Sequence, residues 1–279
     1  MPRARTTLSR LAPLAAVAAA SALLVGCSTG GAPAASSEEP STGGVTLEQV
    51  QEAGVIVVAT EGTYSPFSFH EGGAGELTGF DVDVITAVAD ELGVEVEFQE
   101  TQWDGIFAGL DAGRFDVIAN QVSITPERQE RYEFSTPYTY SPGVLIVPEG
   151  SDIAGFDSLS GRTSAQSLTS NWAETATEAG AQVEEVEGFA QAAELLRQGR
   201  VDATINDRLT FLDYEQSQGG ETGLSIVAET DEVSESAVAF RPGSETLVAA
   251  VDEALAALAA DGTLAEISER YFGEDVSQP

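Results

Sequence analysis

The chain has 279 residues, with 12 basic against 46 acidic side chains and a formal net charge of −34. Every basic residue is arginine, which excludes lysine Schiff-base chemistry and a P-loop lysine and argues against nucleic-acid binding through a basic patch. A single cysteine, Cys27, and a single histidine, His70, leave no disulfide framework, no thiolate metal site and no multi-histidine zinc site, so no metal or cofactor is expected.

Taken in chain order, Arg3, Arg5 and Arg10 precede an apolar run from Leu11 to Val25, the n-region and h-region of a secretory signal. The run falls short of the roughly 20 residues a membrane span needs. Leu24-Val25-Gly26-Cys27 resembles the bacterial lipobox. That resemblance implies a signal peptide over 1–26, cleavage before Cys27 and a diacylglyceryl group on its thiol; the alternative is an ordinary signal whose cysteine falls there by chance. The stretch 28–44 is rich in Ser, Gly, Ala, Pro and Glu without apolar periodicity, so 27–44 is expected to be a lipidated, flexible tether.

The globular part begins near Val45. Thr46-Leu47-Glu48-Gln49 reads as a capping box opening a helix that ends at Gly54. Val55 to Thr60 is a continuous apolar run, as in a strand buried on both faces. A Gly/Pro-punctuated loop covers Glu61 to Leu77. A helix is expected from Asp81, with Val84, Ile85, Val88 and Leu92 inward and Gly93 as its stop. A strand at Val94 to Phe98, a helix from Asp104 to Gly113 and a strand from Phe115 to Ala119 complete a βαβαβ order. The pattern then repeats. Strands are expected at Leu145 to Val147, just before Gln166, at Val201 to Asn206 and at Ala237 to Phe240. Helices are expected from Trp172, Phe189, Ser244 and Leu264. The fold class is thus α/β with mixed, mainly parallel sheets in two similar lobes.

In open α/β sheets a ligand lies beyond the carboxyl ends of the strands. The residues there are Glu61 to Tyr64, Asn120 to Arg128, Ser167 to Asn171 and Asp207. The planar guanidinium of Arg128 suits a carboxylate, although a surface ion pair to Glu127 or Glu130 would use it equally well. Asp207 can accept from an ammonium or cap the next helix. Ser170 and Asn171 precede a helix whose first amides suit an anion, and are also ordinary capping residues. Tyr64 and Trp103 can cover a ligand or pack in the core. Together, one arginine and one aspartate with aromatics nearby match an α-amino acid zwitterion. His70 lies among loop residues with no nucleophile motif nearby, so no catalytic residue is expected.

At these residues the chain resembles the family 3 extracellular solute-binding proteins of ABC importers for polar amino acids. The resemblance rests on Gly62-Thr63-Tyr64-Ser65-Pro66-Phe67, Gly79-Phe80-Asp81-Val82-Asp83-Val84, Trp103-Asp104-Gly105-Ile106, Ile124-Thr125-Pro126-Glu127-Arg128, Phe134-Ser135-Thr136-Pro137-Tyr138, Gly199-Arg200-Val201-Asp202-Ala203 and Asp261-Gly262-Thr263-Leu264, in order from Val45 to Gly273. It implies a two-lobed periplasmic-binding-protein fold of type 2 with two hinge strands. The implied boundaries are lobe 1 over 45–140 and 237–279, and lobe 2 over 141–236. It implies that Arg128 holds a ligand carboxylate, that Ser123 and groups near Gln121 assist, and that Asp207 takes the ammonium. Ser170 and Asn171 then close over the carboxylate, Tyr64 and Trp103 flank the side chain, and Glu61 reads a polar or cationic tail. Asn120-Gln121, the loop Ala165 to Asn171 and Ile205-Asn206-Asp207 are similar to the cystine-binding branch, so L-cystine is the first ligand expected and a basic amino acid its nearest rival. The partners so implied are an L-amino acid, the permease subunits and, through the lipid, the outer face of the cell membrane; a monomer is expected. A dehydratase-like enzyme on the same fold, with Glu61 doing acid/base work, and a sensor subunit signalling through a partner are the competing readings.

Overall fold

The computed structural model describes residues 43–279; the expected signal peptide, Cys27 and nearly all of the expected tether lie outside the described residues. Helix α1 (Leu47–Ala53) opens with the capping box: Thr46 accepts from the Gln49 backbone N–H while the Gln49 side chain accepts from Thr46 N. Strand β1 (Val55–Thr60) follows. The stretch that reads as loop carries a small antiparallel sheet of β2 (Thr63–Tyr64), β3 (Ser68–His70) and β4 (Leu77–Thr78). Then come α2 (Phe80–Leu92), β5 (Glu95–Glu100), α3 (Trp103–Asp111), β6 (Val117–Ser123), a short α4 (Pro126–Gln129) and β7 (Glu133–Phe134). The ten-residue β8 (Thr139–Pro148) leads to β9 (Thr163–Gln166), α5 (Asn171–Glu178), β10 (Gln182–Glu185), α6 (Phe189–Arg197), β11 (Thr204–Asp207) and α7 (Arg208–Ser217). The chain returns on the 17-residue β12 (Leu224–Phe240) and ends with α8 (Glu245–Asp261) and α9 (Thr263–Phe272).

The sheets are mixed, but the parallel share is smaller than the βαβ pattern suggests. Parallel pairing joins β1 to β5 and β6, and β9 to β10; the other ladders are antiparallel. The reason is the length of β8 and β12, which run against each other as the two chain crossings. Thr139–Pro142 pairs with Val233–Ser236, and beyond an irregularity between Glu229 and Val233 the ladder continues from Val144 to Pro148. One crossing therefore serves both lobes, and the apolar segment Ala237 to Phe240 is only the end of a long strand.

Each lobe has its own core on either side of the sheet. Phe80, Val84, Val88, Val251 and Leu255 pack on one face of lobe 1, and Ile106, Leu110, Phe115 and Tyr132 on the other. Phe189, Leu196, Val201 and Phe211 fill one side of lobe 2, and Leu145, Leu159 and Ile205 the other. Full burial of such side chains contributes about 1.5–3 kcal/mol each. Gly79, at φ 135°, starts α2 where a Cβ would overlap the Phe67 backbone. Phe80 N and Asp81 N then donate to Pro66 O and Phe67 O, which fixes where the first turn of α2 points. No described helix is long and apolar enough to cross a membrane.

Candidate functional site

The lobe 1 wall is shaped by a bulge in β6. Val122 pairs with Ala237 and Ile118 with Ala239, so β6 advances four residues while β12 advances two. Bulges re-aim side chains beside sites. Here Gln121 sits at φ 49°, a left-handed conformation that is unfavourable for a residue with a Cβ. Asp81, in the first turn of α2, offsets that cost: its Oδ2 accepts from Gln121 N and its Oδ1 from Gln121 Nε2, both at 2.7 Å. Nε2 also donates to Thr139 Oγ1. The amide is therefore locked, and its Oε1 is left buried without a partner. Two opposed effects act on Asp81. Burial pushes its pKa up to about 7, outweighing the hydrogen bonds from Gln121 that favour the ionised form.

Asn120 is fully buried beside it and orients Glu61. Its Oδ1 accepts from Thr60 Oγ1, Glu61 N and Ser68 Oγ, while its Nδ2 donates to Glu61 Oε2 at 2.7 Å. Burial raises the Glu61 pKa to about 7; the Asn120 amide and the Trp103 backbone N–H oppose the rise, and Asp104 adds to it. Trp103 is buried, and its Nε1 has no hydrogen-bond acceptor. The Arg128 guanidinium lies 5.3 Å from the centres of both the Trp103 and the Phe107 rings. Neither Glu127 nor Glu130 forms an ion pair with Arg128. Instead its Nη1 donates to Ser123 O (2.9 Å) and its Nη2 to Thr169 O (3.3 Å). Burial lowers its pKa to about 10, still far above neutrality. Ser123 Oγ accepts from Ser234 Oγ on β12.

Lobe 2 faces this wall with the loop before α5 and the end of β11. Ser170 is the N-cap of α5, accepting from Ala173 N. Asp207 caps α7 through Oδ1, which accepts from Leu209 N and from Ser141 Oγ, both at 2.8 Å. Capping thus occupies one oxygen of Asp207, and burial raises its pKa to about 6. The Tyr64 hydroxyl crosses between the lobes, donating to Asn206 Oδ1 (3.0 Å) and accepting from Thr210 Oγ1 (3.1 Å).

Between the walls lies a cavity of about 60 Å³. Glu61, Tyr64, Trp103, Asn120, Gln121, Ser170 and Asn171 line it; Ser123, Arg128 and Asp207 do not. Arg128 lies against the Trp103 ring, and Asp207 adjoins the lining residue Asn206, whose Oδ1 accepts from Asp207 N. The cavity runs on into lobe 2 between Gln166, Val186, Phe189 and Ala192, giving it an apolar far end. Sequence reasoning passes over Gln166, Asn206, Phe189 and Asp81. Gln166, Asn206 and Asp81 lie in stretches that carry the family resemblance, whereas Phe189 only opens an expected helix. Chemically, the cavity offers a locked acceptor, a titratable carboxylate and an indole donor at one end, and apolar walls at the other.

A family model described as bacterial extracellular solute-binding proteins, family 3, matches residues 56–274. The L-cystine-binding protein TcyA of Bacillus subtilis (strain 168) is 49% identical over 230 residues, covering 82% of this chain and 85% of the relative. The L-cystine solute receptor of Neisseria gonorrhoeae, unliganded and open, is 46% identical with a TM-score of 0.57, covering 84% of this chain and 99% of the other. An ABC uptake transporter substrate-binding protein from Streptococcus pneumoniae with bound histidine is 30% identical, yet its TM-score is 0.77 over 83% of this chain and 98% of the other. Overlay is thus better on the ligand-bound relative despite its lower identity, in keeping with lobes that touch across the cavity.

Proposed function

Because the chain belongs to the bacterial extracellular solute-binding proteins of family 3, we propose that it is the lipid-anchored substrate-binding component of an ABC importer, capturing a polar L-amino acid, with L-cystine first among the candidates. The observation that carries this reading is the interlobe cavity, whose lining includes Glu61, Gln121 and Trp103, with Gln121 Oε1 and Trp103 Nε1 buried without partners. An unsatisfied buried polar atom costs about 1–3 kcal/mol, a cost a complementary ligand removes. The two acceptors suit an ammonium and the indole N–H suits a carboxylate, so one end of the cavity is matched to a zwitterion. The names of the B. subtilis and N. gonorrhoeae relatives point to L-cystine, a long ligand with a zwitterion at each end and an uncharged middle.

In this reading Arg128 holds the ligand α-carboxylate, with Ser123, Ser170 and Asn171 assisting. Asp207 takes the α-ammonium through the oxygen that capping leaves over. Tyr64 and Trp103 flank the side chain, and Glu61, Asn120 and Gln121 form the wall that meets the tail. Lobe 1 comprises 45–140 and 237–279, and lobe 2 comprises 141–236. The relatives bear binding-protein names, and we read this chain too as a monomeric binder without catalysis that delivers ligand to its permease.

Two experiments test the reading. In a thermal-shift screen of cystine, arginine, glutamine and glutamate under non-reducing conditions, cystine should raise the melting temperature most, because a ligand that binds only the folded state stabilises it. Tight arginine binding with no cystine response would sink the cystine assignment and spare the amino-acid one. Cys27→Ala should move the protein out of the membrane fraction, since a diacylglyceryl group contributes about 0.8 kcal/mol per buried CH₂; equal retention would reject the anchor.

A further inference from the structure

We propose that Asp104 is the residue that holds the cleft shut, a positioning residue that sets how long a ligand stays rather than a contact to it. Asp104 lies in the first turn of α3 on lobe 1, yet its carboxylate is spent on lobe 2. Oδ1 accepts from Thr169 N (2.9 Å) and Thr169 Oγ1 (2.8 Å), and Oδ2 accepts from Leu168 N (3.3 Å). The Thr169 carbonyl is taken in turn by Arg128 Nη2. One residue of lobe 2 is thus gripped at its N–H and hydroxyl by an acid, and at its C=O by a base, both from lobe 1.

Nothing apolar does this job. Leu168, at the tip of the same loop, is 52% exposed and contributes little burial. The loop runs straight into Ser170 and Asn171, which line the cavity, so gripping Thr169 places that wall against lobe 1. Separation of the lobes would break all four hydrogen bonds together. Other contacts between the lobes, among them Ser65 Oγ to Asp213 Oδ2 (2.8 Å), the Tyr64 hydroxyl to Asn206 and Thr210, and Leu209 packed into the lobe 1 core, do not involve this loop. Loss of Asp104 therefore leaves a protein that still closes but reopens sooner.

The inference rests on the reading that the cavity holds a ligand, and its test keeps the two apart. Stopped-flow fluorescence with L-cystine as the probe, following Trp103 and Trp172 in the cavity wall, would compare the wild-type protein with Asp104→Ala and Thr169→Val. The second variant removes only the hydroxyl bond and leaves the charge near Glu61 in place. For Asp104→Ala the off-rate should rise about threefold to tenfold, the scale of solvent-exposed hydrogen bonds to a carboxylate. The on-rate should not fall, and Thr169→Val should show a smaller rise in the off-rate than Asp104→Ala. Small-angle scattering without ligand should show a larger radius of gyration for Asp104→Ala. Unchanged off-rates in a wild type and variant that both bind L-cystine would overturn the proposal. If the wild type ignores L-cystine, the cystine assignment fails instead, and identical scattering profiles of the two unliganded proteins would then overturn the role of Asp104.

Discussion

Arg128, the proposed carboxylate partner, has a surrounding that keeps a guanidinium in reserve. It is buried, stacked on two rings and held by two backbone carbonyls, yet it has no carboxylate partner among the described residues. A guanidinium has five N–H donors, so these bonds leave capacity for a bidentate pair. Arg128→Ala should weaken amino-acid binding by about 2–5 kcal/mol, because the ligand carboxylate would be buried unpaired, and Arg128→Lys should weaken it as well. Calorimetry on both variants checks this. Glu61 gives the site a pH dependence whose sign follows from its raised pKa of about 7. Only the ionised form attracts an ammonium, so affinity for a ligand with a cationic tail should rise between about pH 5.5 and 7.5, where ligand ammonium groups stay charged. Asp207, with its pKa near 6, adds a rise of its own, so the part that vanishes in Glu61→Gln isolates Glu61. A pH profile unchanged by Glu61→Gln would remove Glu61 from the tail site.

Legibility differs between elements, and the difference tracks sequence distance. The capping box at Thr46 and the glycine stops of α1 and α2 rest on bonds within a few residues, so local pattern reveals them. The bulge in β6 does not show. Asn120 and Gln121 read as polar residues ending an apolar run, whereas both remain within a strand buried throughout. They stay there because Thr60, Glu61 and Asp81, distant in sequence, satisfy them. Likewise β12 reads as a short strand at its apolar end, because its central stretch is polar and half solvated where it crosses between lobes. Glu61, Tyr64, Trp103, Arg128 and Asp207 are visible in the sequence as candidates, whereas Asp81 and Phe189 are not; which of them reach the cavity is assigned only by the fold. A crossing element is also sensitive to added bulk. At Gly143 on β8 a Cβ would overlap the Trp172 ring, and Gly143 N donates to Thr230 Oγ1. Gly143→Ala should therefore destabilise the protein by about 1–3 kcal/mol and displace Trp172 from the cavity wall, read by denaturant melts and tryptophan fluorescence.

Across the whole molecule, two cores share one sheet through a pair of long strands, and a cavity with unpaired polar atoms lies where the lobes meet. That division suits a protein whose lobes rotate as bodies about the crossings while each core stays intact. The strong net negative charge favours a solvated, self-repelling surface. The central claim is that the cavity takes one L-amino acid, with L-cystine preferred, and isothermal titration calorimetry tests it most directly. L-cystine titrated into the protein without reductant should bind one molecule per chain and displace previously added arginine. No heat and no displacement with cystine, alongside tight binding of arginine, would contradict the preference; no binding of any amino acid would contradict the function.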